Sequence, residues 1–178
     1  MWARVSITSL LLFYFFAGNS QEVNSLSSLY QPDCECETGY LSSDSSVDIS
    51  AGDKVLKVGY LMSQISKTIV QGSCWDFVNE VYKRAGVSEY KKAVFRSKKS
   101  GPYAPSTLVR PGDWVYHVNH QFNNIEHSAI FVCWKDFEKR IAITLSYAGM
   151  NKKVPAKYGA YSLRSIYSIF RPNFLLVK

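Results

Sequence analysis

No apolar run in this chain reaches the ~18 residues needed to span a bilayer, and the longest one lies at the N-terminus. That excludes a multi-span membrane protein. No internal repeat or low-complexity tract follows residue 53, so collagen and coiled coil find no support. Cysteine is scarce, with four residues, and no second Cys or His pair stands at a spacing that would complete a zinc site. Motifs of nucleic-acid binding are missing too. What the chain does have is 47% hydrophobic and 15% aromatic content over 178 residues. That is too apolar for disorder and enough for roughly one domain with a real core.

The first segment has the three parts of a secretory signal. A short basic start, Met1-Trp2-Ala3-Arg4, leads into an apolar stretch from about Val5 to Phe16, then small residues at Ala17, Gly18 and Ser20. Cleavage is expected after Ser20, which makes residues 1–20 a signal peptide. No Cys follows, so no lipid anchor is expected. Residues 21–53 are rich in Ser, Asp and Glu with little periodicity and read as a loosely packed lead-in. The compact domain is expected over 54–178. The mature chain would then be exported to the periplasm or cell exterior, with no transmembrane span; the alternative is a retained N-terminal anchor helix, for which the apolar stretch is at the short end.

Four cysteines in an exported chain invite a disulfide reading. Cys34 and Cys36, however, are separated by one residue, a spacing that would strain a bond between them. Their positions argue against a disulfide framework, and they could pair with another chain, stay reduced, or hold a metal with outside help. Net charge is +7, and the excess is local: between Lys83 and Arg110 eight basic residues face the single acid Glu89. Such a field attracts polyanions. For an exported protein the expected partner is a cell-envelope polymer rather than nucleic acid, with a merely solvated basic loop as the alternative.

Val55, Val58, Met62, Ile65 and Ile69 recur at helical spacing and predict an amphipathic helix over 54–70, weakened by Gly59. Gln71-Gly72 breaks it. Cys74, Phe77, Val78, Val81, Tyr82 and Ala85 then predict a second helix over 73–85 with one apolar face. Ser73 is a good N-cap with Asp76 three residues on, while Lys83, Arg84 and Gly86 suit the C-terminus. Val109-Arg110-Pro111-Gly112-Asp113 is a turn signal feeding a strand over 114–118. Further strands are expected over 127–134 and 140–147, with later β-type runs near 161–170 and 174–177. Helices first and a mostly antiparallel sheet second make an α+β fold.

Cys74 falls in the first turn of the second helix, where unpaired amides and the helix dipole stabilise a thiolate. The same amides can donate to an oxyanion. The plainer reading is a buried Cys that opens an apolar face. His127 opens a strand, where an imidazole is exposed enough to exchange protons and fixed enough to be aimed. His117 and His120 read as packing or surface residues. Trp75 and Trp114 could line a cleft, although core packing is the plainer use of each.

The segments GSCWDFVNEVYKRAGV, LVRPGDWVYHV and EHSAIFV, in that order, resemble the NlpC-type papain-like cysteine peptidases of bacterial cell walls. In that family a Cys at a helix N-terminus is followed by a Pro-Gly-Asp turn into a strand and a His opening the next. The resemblance runs from about Gly72 to Tyr147. It implies a papain-like NlpC-type fold, Cys74 as nucleophile, His127 as base, and hydrolysis of an amide in peptidoglycan stem peptides without a cofactor or metal. The family often has Asp before the nucleophile and Ser-Gly after it, where this chain has Ser73 and Trp75-Asp76. Its third catalytic member is usually a His, Asn or Gln on the strand after the base. Here that strand carries Thr144 and Ser146 on its polar face, and Ser146 is the candidate to orient the imidazole, with Asn119 or a backbone carbonyl as alternatives. Two other classes stay open: a catalytically silent cell-wall-binding protein, and a papain-like acyltransferase on another substrate.

Overall fold

A computed structural model of the chain describes residues 50–89, 91–120 and 122–174. The expected signal peptide, the lead-in up to residue 49, Cys34 and Cys36, and the expected run 174–177 beyond Phe174 lie outside the described residues. Helix α1 (Ala51–Tyr60) starts at a reciprocal cap in which the Asp53 amide donates to Ser50 Oγ and the Ser50 amide to Asp53 Oδ2, at 3.1 and 3.2 Å. It therefore begins three residues earlier than the periodicity predicts. It also ends sooner. After Tyr60 the backbone opens into a π-turn, Leu61–Ile65, and it leaves helical geometry altogether at Lys67, where φ is +47°. The extra residue per turn rotates later side chains off the buried face: Val55 and Met62 are buried, but Ile65 and Ile69 are 61% and 45% exposed. Gly59 is not merely a weak point of the helix. A Cβ there would lie 2.6 Å from Leu145 Cδ2, so its absence lets α1 approach the sheet.

Helix α2 (Cys74–Arg84) agrees with its sequence pattern. Ser73 accepts from the Trp75 amide at 3.2 Å, and Asp76 accepts from the Ser73 amide at 2.7 Å. Gly86, with φ +73°, follows the helix. Phe77, Val78, Val81 and Tyr82 are fully buried.

Six antiparallel strands form one sheet: β1 (Lys92–Arg96), β2 (Trp114–Asn119), β3 (Ile125–Asp136), β4 (Ile141–Ser146), β5 (Lys157–Ser162) and β6 (Ile166–Arg171). Their order across the sheet is β1-β6-β2-β3-β4-β5. Strand β1 lies in the segment read as a basic loop. Its charged residues hide the strand in the sequence, and at a sheet edge such charges discourage pairing with another chain. The run expected over 161–170 is two strands broken at 163–165, so β6 can cross the sheet and insert between β1 and β2. The chain is thus an α+β protein with a sheet that is antiparallel throughout. No helix among the described residues is long and apolar enough to cross a membrane.

The sheet has a core on each face. On one, α1 and α2 pack Val55, Phe77, Val81 and Tyr82 against Trp114, Ile130 and Leu145. On the other, Val115, Ala129, Phe131, Ile166 and Ile169 are covered from Ala104 and Val109 in the loop that precedes β2. Each fully buried side chain of this size contributes roughly 1.5–3 kcal/mol.

The turn before β2 ties these layers together. Asp113 is wholly buried and accepts two hydrogen bonds from Arg171 of β6, at 3.0 and 2.8 Å, and one from the Arg110 amide at 2.8 Å. Tyr82 of α2 donates to the Gly112 carbonyl at 2.7 Å, and the Gly112 amide donates to Phe131 of β3 at 2.9 Å. Gly112 sits at φ +83° with its Hα side against α1: a Cβ would stand 2.5 Å from Gly52 Cα. Any other residue would collide with backbone.

Candidate active site

Residues 125–128 of β3 run past the end of β4, whose last residue, Ser146, pairs with Ala129. The N-terminus of α2 meets the sheet at this free rim. The His127 imidazole and Ser128 lie against the Cys74 thiol and act on its charge, while Ser128 Oγ is buried with no hydrogen-bond partner among the described residues. His127 Nε2 in turn contacts Ser146 Oγ at 2.5 Å. Cys74, His127 and Ser146 are therefore brought together in the order thiol, imidazole, hydroxyl. With Nε2 engaged by Ser146, Nδ1 is the ring nitrogen left to exchange a proton with the thiol.

Burial of Cys74 raises its pKa, but the neighbouring His127 imidazole and, to a smaller extent, Ser128 outweigh burial and bring the thiol from 9.0 down to about 7. At neutral pH a large share of it is thiolate. Cys74 is a free thiol. Cys133 is disulfide-bonded. Ser73 occupies the Trp75 and Asp76 amides, which leaves the Cys74 amide as the first-turn donor facing an incoming carbonyl oxygen.

The remaining histidines stand apart from the thiol. His117 is directly opposite His127 in the β2–β3 register, fully buried, with its ring edge-on at 5.6 Å. Burial, with the charge of His127, pushes its pKa down to about 3, so it stays neutral. His120 is exposed and its Nδ1 contacts Asn124 Oδ1 at 2.7 Å. Asn119 closes β2 opposite Ile125, while the hydroxyl of Ser146 holds the imidazole. Thr144 shares the polar face of β4 but is fully buried.

The two tryptophans divide. Trp114 is core, 1% exposed, whereas Trp75 is 45% exposed beside the thiol, with its ring 5.6 Å from Trp114. Several neighbours of the site escape a reading of the sequence. Ser128 follows His127 directly, Tyr116 alternates with Trp114 on β2, and Tyr167 and Glu126 share a hydrogen bond of 2.7 Å. Burial raises both tyrosine hydroxyls, Glu126 adds to the rise at Tyr167, and the charge of Cys74 contributes least. Glu126 also carries the ion pair to Lys99, which fastens the loop after β1 to the strand that bears His127. Adjacency to His127 is the one local signal that marks Glu126 and Ser128; Tyr116 and Tyr167 reach the site through strand pairing alone. No protein-family model, curated protein or solved structure matches the chain.

Proposed function

We propose that the chain is an exported bacterial cysteine amidase or endopeptidase of NlpC-like, papain-type architecture, acting on an amide of peptidoglycan stem peptides. One observation carries the reading: a free thiol lowered to about 7 at a helix N-terminus, beside an imidazole whose other nitrogen is held by a hydroxyl. An apolar-face cysteine kept only for packing has no use for that arrangement.

The chemistry follows from the atoms in place. His127 takes the Cys74 proton, and the thiolate attacks the amide carbonyl. The carbonyl oxygen becomes an oxyanion, held by the Cys74 amide at the positive end of α2. Protonated His127 then gives its proton to the departing amine, which leaves Cys74 as a thioester. Water, deprotonated by His127, attacks the thioester and releases the acid. Ser146 keeps the ring in the orientation that serves each step. The disulfide at Cys133 suits an oxidising compartment outside the cytoplasm, and the basic stretch around β1 suits an anionic envelope polymer.

The test is mass spectrometry of purified peptidoglycan incubated with the mature protein, beside Cys74→Ala and His127→Ala variants. New stem-peptide fragments are expected from the parent and from neither variant. Fragments formed equally by all three proteins, or by none, would sink the proposal.

A further inference from the structure

The register of the sheet sets four residues in one transverse row. Arg96 of β1 pairs with Ser168 of β6, Ser168 with Tyr116 of β2, and Tyr116 with Ser128 of β3. Paired residues of antiparallel strands share a face, here the face on which α2 lies. Ser128, at one end, is buried next to Cys74 and follows His127 directly. Arg96, at the other, is three strand spacings away, roughly 14 Å.

The far end of the row is built to hold an anion. Arg96 is exposed, and its guanidinium is fixed 4.8 Å over the Phe170 ring, so less side-chain freedom is lost when it pairs. Beside it a depression of about 570 Å³ is lined by Arg96, Ser97, Lys98, Gly101 and Pro102. Lys99 is already engaged by Glu126, and the Tyr103 hydroxyl holds its carbonyl at 2.9 Å; Arg96 and Lys98 are the cations that face the depression. The Ser97 amide donates to the Tyr167 carbonyl at 2.8 Å, which anchors this loop to β6. Between the two ends lies the half-buried Tyr116, its ring stacked on Trp114 at 5.4 Å and edge-on to Phe170 at 5.7 Å. The exposed Trp75 ring lies 5.6 Å from Trp114, on which Tyr116 stacks, and adds an aromatic side.

We infer that a substrate groove follows this row, with the half-buried Tyr116 as its accessible floor over the buried Ser128 and Ser168, and that Arg96, with Lys98 beside it, binds a carboxylate of the substrate about three residues from the amide held at Cys74. The spacing follows from an extended peptide, which advances ~3.3 Å per residue; three residues cover roughly 10 Å, and the length of the Arg96 and substrate side chains closes the remainder. A carboxylate is the matching anion because the scissile group is an amide and peptides carry carboxylates. The inference rests on the acyl-transfer reading of Cys74.

The experiment measures the rate at which iodoacetamide alkylates Cys74 in the mature protein, by peptide mass spectrometry at pH 7. Protection is titrated with acetyl-Glu-Ala-Ala-Ala-Ala-Ala-Glu-amide, which offers a carboxylate three residues to either side of its middle, and with its Gln counterpart. The Glu peptide is expected to protect at roughly tenfold lower concentration in low salt, with the difference shrinking in 1 M NaCl as charges are screened. Arg96→Gln should abolish the difference and Arg96→Lys should keep most of it, both variants melting like the parent. Equal protection by the two peptides, or a preference that survives Arg96→Gln, overturns the subsite while leaving the nucleophile intact. A Cys74 that iodoacetamide does not alkylate overturns the acyl-transfer reading itself, and the subsite with it.

Discussion

Replacing His127 by Ala separates two effects that the structure sets against each other at Cys74. Burial alone pushes the thiol upward, and the imidazole is the strongest influence bringing it down to about 7. Without the imidazole, the thiol is expected near its ordinary 9.0 or higher. At pH 7 the thiolate share then falls from about one half to about 1%, a loss of roughly 50-fold. A more basic thiolate is also a better nucleophile, by roughly 6- to 10-fold over two pKa units. The net expectation for iodoacetamide alkylation at pH 7 is therefore a decrease of roughly 5- to 8-fold, with the variant overtaking the parent above about pH 8. The assay is a pH series of alkylation rates from pH 5 to 11, read by mass spectrometry, with thermal melting to show that both proteins are folded. A parent midpoint above about pH 8.5, or parent and variant curves that superimpose, would refute the assignment of His127 as the group that sets the thiol.

Three further outcomes are expected. Ser146→Ala removes the partner of His127 Nε2 and should lower turnover roughly 10- to 100-fold while moving the alkylation midpoint less than His127→Ala does; unchanged turnover on a substrate cleaved by the parent would count against an orienting role. Arg171→Ala leaves the wholly buried Asp113 carboxylate without its partner, a loss of about 3 kcal/mol. Burial already holds Asp113 above the usual carboxylate range, and losing Arg171 raises it further, so the folded state favours the protonated acid more than the unfolded state does. The destabilisation should be largest at neutral pH and shrink as pH falls toward 4; urea titrations at both pH values check this, and a deficit independent of pH contradicts it. Gly112→Ala forces a side chain into a left-handed backbone and against Gly52, with an expected loss of roughly 2 kcal/mol or more in the same titrations.

The parts of the fold legible in the sequence are those with local signals. Helix α2 has a cap, an apolar stripe and a terminal glycine, and β2, β3 and β4 are β-branched or aromatic runs bounded by turns. The exit of α1 was hidden because a π-turn changes the helical phase without any marker residue. Strand β1 was hidden because five residues flanked by lysines look like a solvated loop until an edge position gives their charges a purpose. At the site, strand parity singled out Ser146, but its contact with His127 depends on the pairing of Ala129 with Ser146, a register no local pattern contains. The row from Ser128 to Arg96 was out of reach for the same reason. It exists because the C-terminal strand inserts between β1 and β2, and the chain must close a long loop to make that pairing.

The turn at residues 110–113 receives bonds from α2 through Tyr82, from β6 through Arg171 and from β3 through Phe131, and it abuts α1 at Gly52. A segment that four elements share cannot come loose from one of them alone. In native-state hydrogen exchange, the amides of α2 and of β6 should therefore open together, at a free energy close to that of global unfolding. The helix that carries Cys74 would then have no cheap local opening of its own, and a protease in the same compartment would find no separate handle on it.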